Sequence, residues 1–345
     1  MLQYLDIKAQ YTDYLLCYRM GDFYELFFDD ARRAARILDI ALTRRGELHG
    51  EPIAMCGVPY HSAEPYLERL IQAGAKVAIC EQLETPEAAK KRGHKAVVAR
   101  DVVRSLTPGT LTEETLLTPN MPNYLAALAG ADAQARPEAG ETGEAWALAW
   151  ADISTGECCV TALSCDALAT ELGRLNPAEL LLEAEAAAQP DLQEALGPWQ
   201  AVLVTMPEEP AGAEPYEQAL AHTFPSHQGT GFESFTGPQR RACGMLCRYI
   251  KLTQKQSTPR LDPPQRQSRQ GGMQLDAATQ RNLELTRTLA GKRAGSLLHV
   301  MDATVTAAGG RLLALYLTRP LADARRITQR LDAVAWCLDD PGRGE

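Results

Sequence analysis

Several features that would assign the sequence to a class at once are missing. No apolar run approaches the roughly 20 residues that a membrane-spanning helix needs. The N-terminus, MLQYLDIKAQ, has no basic segment followed by an apolar stretch, so it carries no visible secretory signal. The nine cysteines are odd in number and lie mostly in apolar runs, which indicates buried thiols in a reducing compartment. We therefore expect a cytoplasmic protein.

Catalytic and nucleotide-binding motifs are missing as well. A phosphate-binding loop needs the pattern G-x-x-x-x-G-K-[ST] after a strand, but Gly291-Lys292 is followed by Arg293 and lacks the earlier glycine. The six histidines show neither an HExxH motif nor a triad grouping. Cys243 and Cys247 could share one helix face, yet no second Cys or His pair at zinc-site spacing lies nearby. The sequence predicts no catalytic residues and no metal site.

The formal net charge of −9 is distributed unevenly along the 345 residues. Residues 1–112 hold 15 basic and 15 acidic side chains, whereas residues 113–268 hold 9 basic and 21 acidic ones. Residues 269–345 hold 11 basic and 8 acidic side chains. Because a nucleic-acid surface needs positive charge, such a surface would belong to the ends of the chain. Two or three domains are expected at this length.

Residues 1–112 have the pattern of a small mixed α/β domain. Two aromatic-rich runs, DYLLCYRM and DFYELFF, are separated by the turn signal Gly21-Asp22. Helical spacing predicts a helix over DDARRAARILDIAL, and Ser62 is predicted to cap a second helix, AEPYLERLIQAG, that ends at Gly74. KVAICEQ and AVVARDVVRSLTPGT have the β-branched character of strands. GEPIAMCGVPYHS and the lysine-rich TPEAAKKRGHK are predicted to be loops.

Residues 113–268 alternate predicted strands with helices, which is typical of an α/β layer domain. The predicted strands are a hairpin in AWALAWADISTGECCVTAL, a short strand after Asn176-Pro177, and WQAVLVT. GPQRRACGMLCRYIKLTQ is predicted to be a helix, residues 129–145 an insertion, and residues 258–272 a linker.

Residues 269–345 are helical by period, and Pro320 interrupts the second helical stretch. Because these helices cannot bury both of their faces against one another, we expect an incomplete all-α segment of a larger domain.

The segment Phe23-Tyr24-Glu25 places an aromatic ring and a carboxylate two residues apart, directly after a turn. Alternate side chains of a strand share a face, so Phe23 and Glu25 are predicted to point outward while Tyr24 packs inward. An exposed ring can be inserted between base steps of duplex DNA, where it measures how easily the duplex unstacks. Phosphates repel the adjacent carboxylate, which therefore favours selectivity over affinity. Nearby candidates for phosphate contacts are Arg19, Arg32, Arg33, Arg44 and Arg45.

The same stretch carries a family resemblance. RMGDFYELFFDDA, followed by LDIALTRRG, EPIAMCGVPYHSAEPYLERLI and VAICEQ, closely resembles the mismatch-binding domain of the bacterial MutS family of DNA mismatch-recognition proteins. VVRSLTPGT, ADISTGE, RLNPAELL, DAATQRNLEL and DATVTAAGGRLL are similar to later landmarks of that family, in the same order. The resemblance covers nearly the whole chain.

This resemblance implies an α/β multidomain protein. Residues 1–112 would form the mismatch-binding domain, residues 113–268 an RNase H-like α/β connector domain, and residues 269–345 the start of a helical core and lever domain. By similarity, Phe23 is the stacking wedge and Glu25 the acid that contacts the base. Weaker candidates for DNA contact are Met20, Arg44, Arg45, Pro59, Tyr60, His61, Lys90, Lys91, Arg92 and Lys95.

Partners and cofactors follow from the same resemblance. The expected partners are duplex DNA with mismatches or small insertion/deletion loops, MutL through the connector and ATPase regions, and a second copy of the complete protein. The family's clamp and ATPase domain, which uses ATP and Mg²⁺, have no counterpart in this sequence. We therefore expect a fragment that uses no cofactor itself, from a bacterial, cytoplasmic and nucleoid-associated protein.

Two other classes of function fit parts of the sequence. One is a base-flipping or nuclease-type enzyme with a metal site around Asp152, which would require two further carboxylates beside Asp152. The other is a structural interaction module without a DNA role, which would bury Phe23 and pair Glu25 internally.

Overall fold

The computed structural model describes residues 1–48, 50–91, 93, 97–113, 116–117, 121–130, 145–206, 215–227, 231–255, 259–267, 272–273 and 275–339. Within them, two six-stranded mixed sheets, each with helices packed on it, are followed by a stretch of helices. The mixed α/β architecture expected from the sequence is confirmed. The predicted insertion at 129–145 lies almost wholly outside the described residues, as does part of the predicted linker at 258–272.

The first sheet is built from residues 14–106. Its strands are β1 (Tyr14–Met20), β2 (Phe23–Phe27), β3 (Thr43–Leu48), β4 (Glu51–Pro59), β5 (Lys76–Gln82) and β6 (Arg100–Leu106). They lie in the order β3-β4-β2-β1-β5-β6, and β1 runs parallel to β5 while the other neighbours are antiparallel. The helices of this part are α1 (Leu2–Lys8), α2 (Phe28–Leu38), α3 (Glu64–Gln72) and α4 (Pro86–Lys91).

Strand alternation places a core on each face of this sheet. Leu15, Cys17 and Leu26 pack with α2 and α3 on one face, and Leu16 and Phe27 pack with α1 on the other. The small residues of ARRAAR in α2 allow that helix to lie close to the strands. Sequence periodicity therefore predicted the central strands correctly, whereas the helix predicted over DDARRAARILDIAL was four residues too long, since α2 ends at Leu38 and Asp39 is left-handed.

Three further local predictions for this part were wrong. GEPIAMCGVPYHS is not a loop, because the first half of β4 pairs with β3, its second half pairs with β2, and the strand buries Cys56 and Val58 in the core. Its prolines, Pro52 and Pro59, lie near the strand ends, where a missing N–H is tolerated. Ser62 does not cap α3, which begins at Glu64 after Ala63 without a side-chain cap.

The third wrong prediction concerns TPEAAKKRGHK. Lys90 and Lys91 lie in the last turn of the short helix α4 and not in a loop. Arg92 and Lys95 lie outside the described residues.

The second sheet is built from residues 124–266. Its strands are β7 (Tyr124–Gly130), β8 (Trp146–Asp152), β9 (Glu157–Leu163), β10 (Glu179–Leu182), β11 (Leu203–Thr205) and β12 (Gln265–Arg266). They lie in the order β11-β10-β7-β8-β9-β12, with β7, β8 and β9 antiparallel. β10 runs parallel to β7 and β11, and β12 runs parallel to β9. Its helices are α5 (Cys165–Leu175), α6 (Ala184–Ala187), α7 (Pro190–Leu196), α8 (Tyr216–Thr223) and α9 (Gly237–Gln254).

Both faces of the second sheet are also covered. α8 and α9 pack on one face, while α5 and α7 pack on the other. The predicted helix GPQRRACGMLCRYIKLTQ is α9 from its first residue to its last, and Thr236 and Gln239 form a capping box at its start.

Two predictions in this sheet need correction. Only Leu203–Thr205 of WQAVLVT is a strand, because the preceding residues form a 3-10 helix, Gly197–Val202. Within the predicted linker, Gln265 and Arg266 form the edge strand β12 and pair with Cys159 and Val160.

The remaining helices are α10 (Ala277–Asn282), α11 (Leu297–Met301), α12 (Ala307–Thr318) and α13 (Ala324–Leu338). α10 is much shorter than the helix predicted over QLDAATQRNLELTRTLAG. The break at Pro320 is confirmed, since it separates α12 from α13. α13 buries none of its residues, and Ile327, Leu331 and Val334 are exposed on it, which agrees with the prediction of open helices.

A buried carboxylate joins the two sheets. Glu179, at the start of β10, is 1% exposed, and its Oε2 accepts hydrogen bonds from Thr107 Oγ1 at 2.5 Å and from the Gly109 amide at 3.1 Å. Its Oε1 accepts a hydrogen bond from the Tyr249 hydroxyl of α9 at 2.6 Å and lies 3.9 Å from Lys76 Nζ. We call these five residues the Glu179 junction. Because both carboxylate oxygens have donors, the buried charge is compensated.

Candidate nucleic-acid interface

Phe23 is displayed by the turn between β1 and β2. Met20 and Phe23 form the last pair of the two strands, so Gly21 and Asp22 make a two-residue turn. Gly21 has φ +59°, which glycine adopts without strain. A type II′ hairpin requires a positive φ at the first of its two turn residues, the position that Gly21 occupies. Phe23 is 46% exposed. The turn therefore presents the ring to solvent.

Strand alternation separates Phe23 from its neighbour Tyr24. Tyr24 is buried in the core beneath α2 and α3, whereas Phe23 and Glu25 lie on the face that also carries Phe27. On that face Tyr4 of α1 covers Phe27, with ring centroids 5.0 Å apart. The predicted alternation of Phe23 and Tyr24 is confirmed, and Phe23 is exposed at the opposite end of β2 from the ring that α1 covers.

Glu25 is less open than predicted, because Arg45 covers it. Arg45 Nη1 donates a hydrogen bond to Glu25 Oε2, and the two side chains are 48% and 13% exposed, respectively. β4 lies between their strands, and Gly57 is the β4 residue directly opposite Glu25. A Cβ atom at Gly57 would lie 3.6 Å from Glu25 Cγ, so Gly57 packs directly beside the Glu25 side chain.

Arg19 braces the turn through contacts within the protein. Its Nε donates to the Gly21 carbonyl at 2.5 Å, and its guanidinium carbon lies 3.1 Å from the centroid of the Tyr60 ring. Arg19 Nη1 also lies 3.7 Å from a Glu81 oxygen, and Glu81 accepts a hydrogen bond from the Tyr24 hydroxyl. Burial, then this hydrogen bond, raises the pKa of Tyr24. The phosphate contact suggested for Arg19 from the sequence stays a prediction, and within the protein Arg19 fixes the turn.

Several other candidates gather at the same end of the first sheet. Pro59 is the residue opposite Phe23, the Tyr60 amide donates to the Asp22 carbonyl at 3.0 Å, and the His61 ring contacts the Tyr60 ring edge-on. Met20 is partly buried against the α1 face. These residues form one surface with Phe23.

The remaining basic candidates are dispersed. Arg44 is exposed on β3 next to Arg45, and Arg32 pairs with Asp29 on α2 at 2.6 Å. Arg33 is exposed on the same helix. Lys90 and Lys91 are exposed on α4, beyond β5. Glu81 and Gly57 were not singled out from the sequence, since only the sheet brings them beside the Phe23 turn.

Asp152 is a structural residue. Its carboxylate is buried and accepts hydrogen bonds from the amides of Asn123 at 3.1 Å and Ser154 at 3.0 Å, and from the Ser154 hydroxyl at 2.6 Å. Glu157 lies opposite Asp152 in the sheet. Among the described residues, no group of three or more His, Cys, Asp or Glu side chains could hold a metal ion. The metal-dependent enzyme interpretation therefore has no support at Asp152.

In the described part of the chain, no helix combines the length and the hydropathy needed to cross a bilayer.

Three family models match the chain in succession. The model of MutS domain I matches residues 1–115, that of MutS domain II matches residues 123–262, and that of MutS domain III matches residues 278–345.

Curated relatives named DNA mismatch repair protein MutS align with nearly the whole chain. The protein of Roseobacter denitrificans is 49% identical over 98% of this chain, that of Cereibacter sphaeroides 50% over 99%, and that of Nitrobacter winogradskyi 48% over 97%. In each case the chain spans 37% of the length of the relative. The three successive domain matches and these identities show that the chain belongs to the MutS family.

Proposed function

We propose that this chain recognises mispaired or unpaired bases in duplex DNA, with Phe23 as an apolar wedge and Glu25 as the acid that contacts the displaced base. The observation that carries the proposal is the exposure of Phe23 at the end of β2, on a turn held by Arg19 and Tyr60, while Tyr24 is buried. Because the turn is already fixed, the exposed ring loses little conformational freedom when it binds.

The physical basis of the selection is the cost of deforming DNA. Inserting a side chain between base steps costs a few kcal/mol of stacking, and the cost is lowest where bases are mispaired or unpaired. Phe23 would gain contact area equally at any site, so the difference between sites comes from the DNA. Glu25 adds a second criterion, since a displaced base can donate a hydrogen bond to it and an intact pair cannot.

Phosphate contacts would hold the duplex while the wedge is inserted. The candidates beside Phe23 are Arg44 and Arg45 on β3 together with Pro59, Tyr60 and His61, and the more distant candidates are Lys90 and Lys91 on α4. Such contacts fix the position of a protein on DNA without reading its sequence.

The proposal also assigns a domain role to each part of the chain. Residues 1–112 would be the mismatch-binding domain, residues 113–268 the connector, and residues 269–345 the start of the core and lever domain. An RNase H-like fold for the connector is supported by the antiparallel run β7-β8-β9 with β10 and β11 added in parallel beside β7.

The wider assembly is also proposed from the family. The connector would face MutL, ATP and Mg²⁺ would act in an ATPase outside this sequence, and a second copy would complete the clamp on DNA. In this proposal the chain itself binds and does not catalyse.

Equilibrium binding to matched duplexes tests the proposal. Fluorescence anisotropy would compare an intact duplex with the same duplex carrying a one-base bulge, at two stated salt concentrations because phosphate contacts are salt-dependent. We expect the wild type to prefer the bulge, and Phe23→Ala to lose that preference. Glu25→Ala is expected to reduce the preference, partly by binding the intact duplex more tightly.

Leu42→Ala is the matched control, because Leu42 is another exposed apolar side chain of the same part of the chain. It should leave the preference unchanged. Equal preference in Phe23→Ala and the wild type would contradict the wedge assignment.

A further inference from the structure

The ion pair between Arg45 and Glu25 bears directly on how a carboxylate can be tolerated beside DNA. Glu25 is mostly covered, and Arg45 is its partner in the protein without DNA. Arg45 lies on the edge strand β3, all six residues of which are exposed. The pair is therefore accessible from solvent on the Arg45 side.

The geometry makes this pair specific to Arg45. Arg44, the adjacent residue, has the same charge and is exposed on the same strand, but Arg45 is the one that donates to Glu25. Arg45 lies where the register between β3 and β4 shifts, between Arg44 and Glu47, and its side chain reaches across β4 to Glu25. Arg44 is therefore the matched control, because it carries the same positive charge on the same strand but makes no ion pair with Glu25 among the described contacts.

The energy of the pair depends on what else Glu25 can bind. An uncompensated carboxylate near a phosphate backbone is repelled within a Debye length, about 10 Å at 0.1 M salt. On intact duplex no displaced base is offered to Glu25, so among the described residues its compensation comes from Arg45. On mispaired DNA a displaced base supplies a second partner, and Glu25 depends less on Arg45.

We propose that Arg45 is a specificity-determining residue. It neutralises Glu25 on intact duplex and so sets the affinity for intact duplex, with which the affinity for mispaired DNA is compared. This inference rests on the proposed function. An ordinary phosphate contact would strengthen binding to every duplex by the same factor, whereas Arg45 strengthens binding to intact duplex more than to mispaired duplex. Removing Arg45 therefore lowers affinity and increases discrimination.

The test is a double-mutant cycle measured by anisotropy at low salt on the intact and the bulged duplex. Arg45→Gln should weaken binding to the intact duplex about threefold more than binding to the bulged duplex, as expected for a partly exposed ion pair. In a chain that already carries Glu25→Gln, Arg45→Gln should weaken both duplexes by the same factor. Arg44→Gln should weaken both equally in either background.

Two outcomes would overturn the inference. If Arg45→Gln weakens both duplexes equally whether or not Glu25 is present, Arg45 is only a phosphate contact. If Arg45→Lys, which keeps the positive charge, increases discrimination as much as Arg45→Gln, charge compensation is not the cause. Urea unfolding of each variant separates these results from loss of folding.

The cycle also separates this inference from the proposed function. A wild type without bulge preference contradicts the proposed function, and with it the inference. A wild type that prefers the bulge and loses that preference in Phe23→Ala supports the proposed function. If coupling between Arg45 and Glu25 on the intact duplex is then absent, only the inference fails.

Discussion

Glu25 and Glu179 show two opposite ways of holding a carboxylate. Glu179 is buried where the two sheets meet and accepts hydrogen bonds from Thr107, Gly109 and Tyr249. Glu25 lies near the surface and has Arg45, a half-exposed side chain, as its partner. Glu179 cannot change partners without leaving buried donors unpaired, whereas Arg45, the partner of Glu25, is itself open to solvent. Burial and the number of donors thus distinguish an acid that supports the fold from one that, in the proposed function, is available for binding.

Truncating each glutamate is the strongest way to test this comparison. Glu179→Ala leaves buried donors of the Glu179 junction unpaired, so we expect the free energy of unfolding to fall by about 3–5 kcal/mol. Glu25→Ala should change it by less than about 1 kcal/mol, because the partner is exposed. Urea unfolding followed by circular dichroism measures both. Similar losses for the two variants would show that the distinction is wrong.

The glycines beside the two glutamates, Gly109 and Gly57, differ in how tightly they are packed. A Cβ at Gly109 would lie 2.8 Å from Glu179 Cβ and 2.9 Å from Leu125 Cδ1, so Gly109→Ala should cost about 1–3 kcal/mol through overpacking. The closest atom to a Cβ at Gly57 is the Tyr24 carbonyl at 3.3 Å, so we expect Gly57→Ala to cost less. A larger loss for Gly57→Ala, measured in the same unfolding experiment, would contradict the assignment of Gly109 as the tighter site.

Arg19 tests how firmly the exposed region is held. Replacing it by Gln removes the stacking on Tyr60 and weakens the hydrogen bond to Gly21, which together are worth about 1 kcal/mol. Amide hydrogen exchange at residues 21–23 should become faster while exchange around Glu179 stays the same. Arg32→Gln is the control, since Arg32 pairs on α2 with Asp29. Unchanged exchange at the turn in Arg19→Gln would rule out the bracing role.

The sequence predicted local features of the fold well, because they depend on local periodicity. α9 was predicted to the residue, and the alternation of Phe23 with Tyr24 follows from the geometry of an extended strand. Partners that are distant in the chain could not be predicted. β4 was mistaken for a loop because its strand character comes from pairing with β2, and Glu179 meets Thr107 across 72 positions.

The smallest expected effect at neutral pH is a pH dependence at the Glu179 junction. Burial, and then the Glu179 carboxylate, raise the pKa of Tyr14 to about 12. Folding therefore favours the neutral phenol, so this contribution to stability is complete below about pH 10, the usual pKa of tyrosine, and is lost as the pH rises towards 12.

Tyr14→Phe should consequently make the free energy of unfolding fall less steeply between about pH 10 and pH 12, by at most about 1.4 kcal/mol per pH unit. Glu179→Gln removes the negative charge beside Tyr14 and should produce part of the same change. Urea unfolding at several pH values in this range measures the slope. If Tyr14→Phe and the wild type have the same slope, folding does not raise the pKa of Tyr14. If Glu179→Gln leaves the slope unchanged, the carboxylate does not act on Tyr14, and the contrast with Glu25 then rests on hydrogen bonding alone.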